Sequence, residues 1–379
     1  MLYETPPLDA ADHRVLDGID AMRAELQPLI RPTRTWVGSL RRELLARHVQ
    51  GSIGIEGYRT TVADVEAMMT GAEPLATAKS DQREADGYRQ ALSWVLRLAE
   101  AEPFTYTDGL LNGLHFVMAG HHTRDAPGWW RTSGVWVRGE QPGAIAYQAP
   151  EAEQVPLLTK ELIEWLNTGN LEAPALVRAA MAHFNLVKIH PWRDGNGRMA
   201  RALHTLVLAR EGLLAPEYSS IEEWLGHHSL RYYDALAAAG GSVWSPQRDV
   251  TVWLRFALAG HHQQLQLVRH RAEIQSRLWV ALEEAVRRQG WHERYAYALF
   301  PAVKAEGEGG MVHRAAYQID AQISGQVAQA DLRTIVRAGW LAAHGAGRGR
   351  HYTVGDALPG EIRDLIQPTR LVDPYHPEQ

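Results

Sequence analysis

The sequence predicts a mainly α-helical protein with one β-hairpin near its middle and a small mixed unit towards its C-terminus. Three observations predict this. Apolar residues recur at three- and four-residue spacing through much of the first hundred residues and again from 175 to 210. Short β-prone runs occur in pairs around Gly-rich turns, near 135–147 and 340–354. The 379 residues, 45% hydrophobic and 22% charged, suffice for two or three domains with a sizeable core.

Taken in order, the stretch from Asp9 to Leu29 carries Leu16, Ile19, Met22 and Leu26 at helical spacing, and Pro28 and Pro32 bracket a break after it. Leu40 to Gln50 resumes the helical pattern. Thr61 to Asp64 reads as a capping box opening a helix to Met69. Asp81 to Glu100, with Tyr88, Leu92, Val95 and Leu98, is a further helix, as is Leu110 to Met118. Val135 to Val137 and Ala144 to Tyr147 flank a Gly/Pro turn at Gly139 to Gly143 and predict a hairpin. Ala175 to Ile189 is a helix whose one buried face holds Leu176, Ala180, Phe184 and Val187, and Pro191 is a poor residue to continue it. Arg198 to Arg210 is helical again. Ile221 to Leu225 and Leu230 to Leu236 follow, and Asp249 to Arg288 predicts long connecting helices. Near the C-terminus come helices at Arg314 to Asp320 and Gly325 to Ala338, the latter stopped by Gly339. Strands at Trp340–Leu341 and Arg350 to Val354 complete the unit, which resembles a winged helix.

Composition excludes several classes. A net charge of −5 argues against a polybasic nucleic-acid binder. The absence of cysteine excludes disulfides, thiolate metal sites and cysteine nucleophiles. No apolar run is long enough to span a bilayer, and the N-terminus lacks the basic start and apolar core of a signal peptide, so no membrane partner and a cytoplasmic location are expected.

Chemistry concentrates between His190 and Arg201, a stretch with a titratable base, a carboxylate (Asp194), the run Gly195, Asn196, Gly197, and the arginines Arg198 and Arg201. The glycines sit at the start of a helix, where unpaired N–H groups and the helix dipole favour an anion. A carboxylate can hold Mg²⁺, arginine forks pair with phosphates, and a histidine can take a proton from a hydroxyl near neutral pH. The base ends one helix and the arginines begin the next, so the two can face each other.

This stretch resembles the signature of the Fic family, H-x-F-x-(D/E)-G-N-G-R-x-x-R, at His190, Asp194, Gly195, Asn196, Gly197, Arg198 and Arg201; Trp192 stands where the family usually has Phe. The resemblance covers roughly residues 40–240. It implies a Fic-type helical core in which the hairpin, with Arg131, Val135 and Val137, is a flap that holds a target segment as an added strand. It further implies protein AMPylation, the transfer of AMP from ATP to a Ser, Thr or Tyr hydroxyl. His190 would be the base and Asp194 the Mg²⁺ ligand. Gly195, Asn196 and Gly197 would stabilise the α-phosphate, Arg198 would meet the β-phosphate and Arg201 the γ-phosphate. Trp224, Tyr233 and Leu236 are candidates for the adenine pocket.

Ser52 to Gly57 resembles the inhibitory motif of many Fic proteins, (S/T)-x-x-x-E-(G/N), in which the glutamate competes for the second signature arginine; here Ser52, Glu56 and Gly57 would act against Arg201. Other readings remain open on the same fold: removal of AMP with Glu56 placing a water, or phosphoryl transfer, against which Gly197 and Arg201 argue. A reading of another class is a nucleotide-sensing, DNA-binding regulator; the C-terminal unit has a basic edge at Arg333, Arg337, Arg348 and Arg350, but its recognition-helix candidate has few basic residues. Partners implied are ATP, an unidentified target protein and the protein itself through self-modification, with a homodimer left open. The organisation expected is an N-terminal helical region at 1–101 with the inhibitory motif at 52–57, a catalytic core at 102–240, connecting helices at 241–290, the winged-helix-like unit at 291–357 and a tail at 358–379.

Overall fold

A computed structural model describes residues 1–138, 145–213, 216–304, 310–367 and 369–376. The N-terminal helices are α1 (Ala10–Leu26), α2 (Val37–Ile55), α3 (Val62–Met69) and α4 (Lys79–Leu98). Thr61 caps α3 by accepting from the Asp64 N–H at 3.1 Å. The reciprocal half of the expected box is missing for a reason: the buried Asp64 carboxylate accepts instead from the Leu75 and Ala76 N–H groups and the Thr77 hydroxyl, and so ties down the next loop.

After α5 (Asp108–Ala119) come β1 (Trp136–Arg138) and β2 (Ile145–Gln148), paired antiparallel with Val137 opposite Tyr147. The expected turn at Gly139 to Gly143 lies outside the described residues. Then follow α6 (Val155–Thr168), α7 (Ala175–Ile189) and α8 (Asn196–Arg210). The prediction of one buried face understated α7. Every residue from Leu176 to Ile189 is buried, as suits a helix enclosed on all sides. Its polar residues each find a partner: Asn185 accepts from the Tyr3 N–H, Tyr232 bonds His183, and the Lys188 ammonium reaches the Gly241 carbonyl and lies 4.0 Å from the centroid of the Tyr147 ring.

Beyond α8 lie α9 (Pro216–Ser219), α10 (Glu222–His227) and α11 (Ser229–Gly240). The expected connecting helices are one helix, α12 (Thr251–Arg288), of 38 residues and about 57 Å. No proline interrupts it, and α1, α7, α10 and α11 all pack along it. The C-terminal unit adds α13 (Tyr295–Val303) and β3 (Met311–His313) to the expected α14 (Arg314–Ala321), α15 (Gly325–Arg337), β4 (Leu341–His344) and β5 (His351–Val354), with strand order β3-β5-β4. The expected tail is bound to the body over its described residues. In α16 (Gly360–Arg363) Ile362 is fully buried, Val372 exchanges two hydrogen bonds with Gln266, and the Tyr375 hydroxyl donates to Asp12. Among the described residues no helix is long and apolar enough to cross a membrane.

Two helices approach unusually closely. At the crossing of α2 and α10, a Cβ on Gly51 would lie 2.4 Å from the Glu222 carbonyl oxygen, and one on Gly226 would lie 2.6 Å from the Gly51 Cα. No side chain fits there, so α2 is seated against the backbone of α10.

Candidate functional site

The loop between α7 and α8 carries the signature. His190 caps α7 in the left-handed region, with φ 54°. Its Nδ1 bonds the Val187 carbonyl at 2.9 Å. That carbonyl can only accept, so Nδ1 carries the proton and Nε2 keeps its lone pair. Burial lowers the imidazole's pKa, partly offset by the Val187 bond, and keeps the ring neutral at pH 7.

At the other end of the loop Gly195, with φ 77°, takes the N-cap position of α8, a backbone conformation that suits glycine. The first N–H groups of α8 therefore point into the space in front of the loop. Asn196 contributes to that space through its backbone alone, because its amide clamps Trp192: Oδ1 accepts from the Trp192 N–H at 2.9 Å and Nδ2 donates to the Trp192 carbonyl at 2.8 Å. Trp192 is fully buried and stacks on His115 with 4.6 Å between centroids.

His115, which sequence reasoning passed over, supports the loop from beneath. Its Nε2–H donates to the Asp194 carbonyl at 3.0 Å and its Nδ1 accepts from the Gly128 N–H at 2.9 Å. The bond accepted by Nδ1 requires the neutral ring, and burial pushes its pKa down to about 4. The same cause holds His48 at about 4, His204 at about 3, and His183 and His261 well below the usual value. Unfolded histidines titrate near 6.5, so below that pH the unfolded chain gains protons that the folded chain refuses. Stability present above pH 6.5 is then lost as pH falls towards 4, at up to about 1.4 kcal/mol per pH unit for each such histidine. Glu222, raised to about 7 by burial, and Asp320, also raised by burial, work in the opposite direction, but they are two groups against these five. A Tm several degrees lower at pH 5 than at pH 7.5 is expected in a thermal melt, and an unchanged Tm would count against buried neutral histidines.

Arg198 and Arg201 are both buried on α8. Arg198 donates through Nη1 to Glu84 on α4 and through Nη2 to Asp194 Oδ2 at 3.0 Å. Asp194 itself is half-exposed, its side chain at 50%. Arg201 donates from Nε to the Ser52 hydroxyl at 2.7 Å, and from Nη2 to the Ser52 carbonyl at 2.9 Å and to Glu56 Oε1 at 2.7 Å. Among the described residues its Nη1 is buried with no hydrogen bond of good geometry, although the Tyr232 hydroxyl lies beside the guanidinium. The expected contest for a whole fork is thus a single bond plus a contest for space. A Cβ on Gly197 would lie 2.5 Å from Glu56 Oε1 and 3.2 Å from Arg201 Nη1, so the carboxylate occupies the cradle itself.

Glu56 is aimed by the end of α2. The Gly57 N–H bonds the Gly54 carbonyl and the Tyr58 N–H bonds the Ile53 carbonyl, a Schellman stop with Gly57 at φ 90°. Tyr233 lies beside it, its hydroxyl donating to the Ile55 carbonyl at 3.2 Å. Burial and the Glu56 carboxylate raise that phenol's pKa to about 12. Leu236, one turn along α11, is buried. Trp224 is the third residue expected in an adenine pocket. It is buried among Phe256, His228 and α12, and its indole N–H donates to Gln263 at 2.8 Å.

The hairpin is anchored to the loop by Arg131, whose guanidinium donates to the carbonyls of His190 at 2.8 Å, Ser133 at 2.9 Å and Pro150 at 2.5 Å. Val135 and Val137 are half-buried and Trp136 between them is exposed. β2 is bridged to Val243 at Gln148, which leaves β1 at the outer edge.

The chain is similar to known proteins. Residues 106–208 match the Fic/DOC family. The protein adenylyltransferase Fic of Drosophila melanogaster is 30% identical over 211 residues, 54% of this chain and 40% of that protein. The protein adenylyltransferase fic-1 of Caenorhabditis elegans is 28% identical over 212 residues, 55% of this chain and 40% of that protein. The chain therefore spans about two fifths of the length of these curated relatives. A crystal structure of a Fic family protein from Desulfovibrio desulfuricans G20 shares the fold with a TM-score of 0.58 at 22% identity, covering 93% of this chain and 98% of that one. A structure of C. elegans Fic-1 gives a TM-score of 0.56 at 23% identity, covering 68% and 72%.

Proposed function

We propose that this chain, whose residues 106–208 match the Fic/DOC family, transfers AMP from ATP to a Ser, Thr or Tyr hydroxyl of a target protein and is held down by Glu56. One observation carries the reading. The N-terminus of α8 already holds an anion, the Glu56 carboxylate, between Gly197 and the buried Arg201. A phosphate would take the same place, and Arg201 Nη1 is the buried donor left for it.

In the transfer the target oxygen bonds the α-phosphorus, the bond from that phosphorus to the bridging oxygen breaks, and pyrophosphate leaves. His190 Nε2 takes the hydroxyl proton, held in the right tautomer by Val187. The N–H groups of the α8 N-terminus bind the phosphate oxygens as charge develops on them. Asp194 suits Mg²⁺, being a half-exposed carboxylate at the rim of the cradle and a hard oxygen donor. Bound there, the ion would neutralise phosphate charge. Arg198 keeps Asp194 oriented. The outer edge of β1 supports the flap reading, since it can pair with an extended target segment.

The test uses the Glu56→Gly protein with ATP labelled at either the α- or the γ-phosphate. Label retained on protein from the α position, together with an AMP adduct by mass spectrometry, is expected. Label from the γ position would replace the reading by phosphoryl transfer. Asp194→Ala, or excess chelator with the unmodified site, is expected to abolish transfer, and full activity in chelator would remove the metal from the scheme.

A further inference from the structure

Behind Arg198 lies a cluster that the proposed reaction does not use. Glu84 on α4 faces His121 and His122, which follow the end of α5. His121 Nε2 lies 2.7 Å and His122 Nε2 2.5 Å from the same oxygen, Glu84 Oε1. The three ligand atoms fall within 4.8 Å of one another. We propose that Glu84, His121 and His122 form a binding site for a divalent transition-metal ion of the Zn²⁺ type, separate from the oxygen-lined position at Asp194.

The geometry is that of a built site. The carboxylate is buried and its orientation is fixed from behind, because Oε2 accepts from the buried Arg198 guanidinium; metal-binding carboxylates are commonly held in this way by a second partner. The turn after α5 is fixed as well, the His122 N–H bonding the Ala119 carbonyl at 2.8 Å. The two imidazoles retain side-chain exposures of 24% and 30%, which gives an ion a path from solvent and leaves room for a water as fourth ligand. Around a tetrahedral ion with bonds of about 2.0 Å, ligand atoms stand about 3.3 Å apart. The rings therefore need to retreat by less than about 1 Å from their present hydrogen bonds. On binding, each ring carries its proton on Nδ1 and offers the Nε2 lone pair to the ion.

The donor set chooses the ion. Two imidazole nitrogens and one carboxylate suit Zn²⁺ or Co²⁺, whereas Mg²⁺ takes oxygen ligands. The shared carboxylate also links the ion to the signature. An ion at Oε1 takes part of the charge that Glu84 otherwise gives to Arg198, which in turn holds Asp194.

The test is calorimetric titration of the full chain with ZnCl₂ in excess Mg²⁺, alongside the visible absorption of added Co²⁺. One Zn²⁺ equivalent that Mg²⁺ does not displace is expected, with Co²⁺ bands in the visible. His121→Ala or His122→Ala should weaken it by about tenfold or more, and the double variant should lose that equivalent. Circular dichroism checks the fold. Should the double variant fail to fold, His122→Asn alone, read by the Co²⁺ bands, decides the matter. Absence of the equivalent in the wild type, displacement by Mg²⁺, or the same Zn²⁺ stoichiometry and affinity in a folded variant overturns the site.

Discussion

Replacing Glu56 by glycine is expected to raise AMP transfer by roughly ten- to a hundredfold, most visibly as self-modification. Charge-assisted hydrogen bonds contribute about 1.5–3 kcal/mol, and each 1.4 kcal/mol is about tenfold in an equilibrium. The substitution removes one such bond, from Arg201 Nη2, and clears the carboxylate from above Gly197. It leaves the backbone free to keep its course, because Glu56 caps α2 at φ −84° and ψ 3°, where glycine is at ease. Arg201→Ala in the same background should cancel the gain, since the freed guanidinium is what the activation uses. Self-modification with labelled ATP is measured for the wild type, the single variant and the double variant. Equal rates for the wild type and Glu56→Gly would reduce Ser52 to Gly57 to an ordinary helix end.

His190→Ala, made in the Glu56→Gly background so that the loss can be measured, is expected to lower transfer by at least about a hundredfold, the lower end of what a general base contributes. The ring's lowered pKa adds a second expectation. A base that is neutral down to a lower pH keeps working there, so the acidic limb of the pH–rate profile should fall below the ordinary histidine value near 6.5. The variant's melting curve controls for folding. Near-wild-type transfer by a folded variant would remove His190 from the base's role.

The sequence makes some of this legible and conceals the rest for physical reasons. The bounds of α7 are visible because its last residues meet Pro191, and Gly195 and Gly339 mark helix ends because their φ values of 77° and 73° suit glycine. Local rules of this kind need only neighbours in the chain. Glu84 conceals itself. On an amphipathic helix it reads as one more surface charge, yet it is buried against Arg198, 114 residues away. His115, His121 and His122 are hidden in the same way: each has a partner that only the tertiary fold delivers. Trp224 shows a further limit: an aromatic near a site is as readily core as ligand surface, and the bond from its indole N–H to Gln263 on α12 is invisible in the sequence. Strand β3 is three residues long, too short to show a period of two.

The seating of α2 against α10 has a consequence for how the site opens. With Gly51 pressed on the Glu222 carbonyl, the helix that carries Glu56 cannot shift further towards α10. Under the proposed control, the carboxylate is a competitor tethered beside its arginine. Its local concentration is set by a stiff attachment and lies at or above the order of millimolar that short flexible links achieve. Dilution cannot relieve it, and a free carboxylate added to solution cannot replace it. Deleting the N-terminal helices is accordingly no substitute for Glu56→Gly. It would also bare the face of α10 where Glu222 and Glu223 are buried, and so mix release of the cradle with loss of its wall.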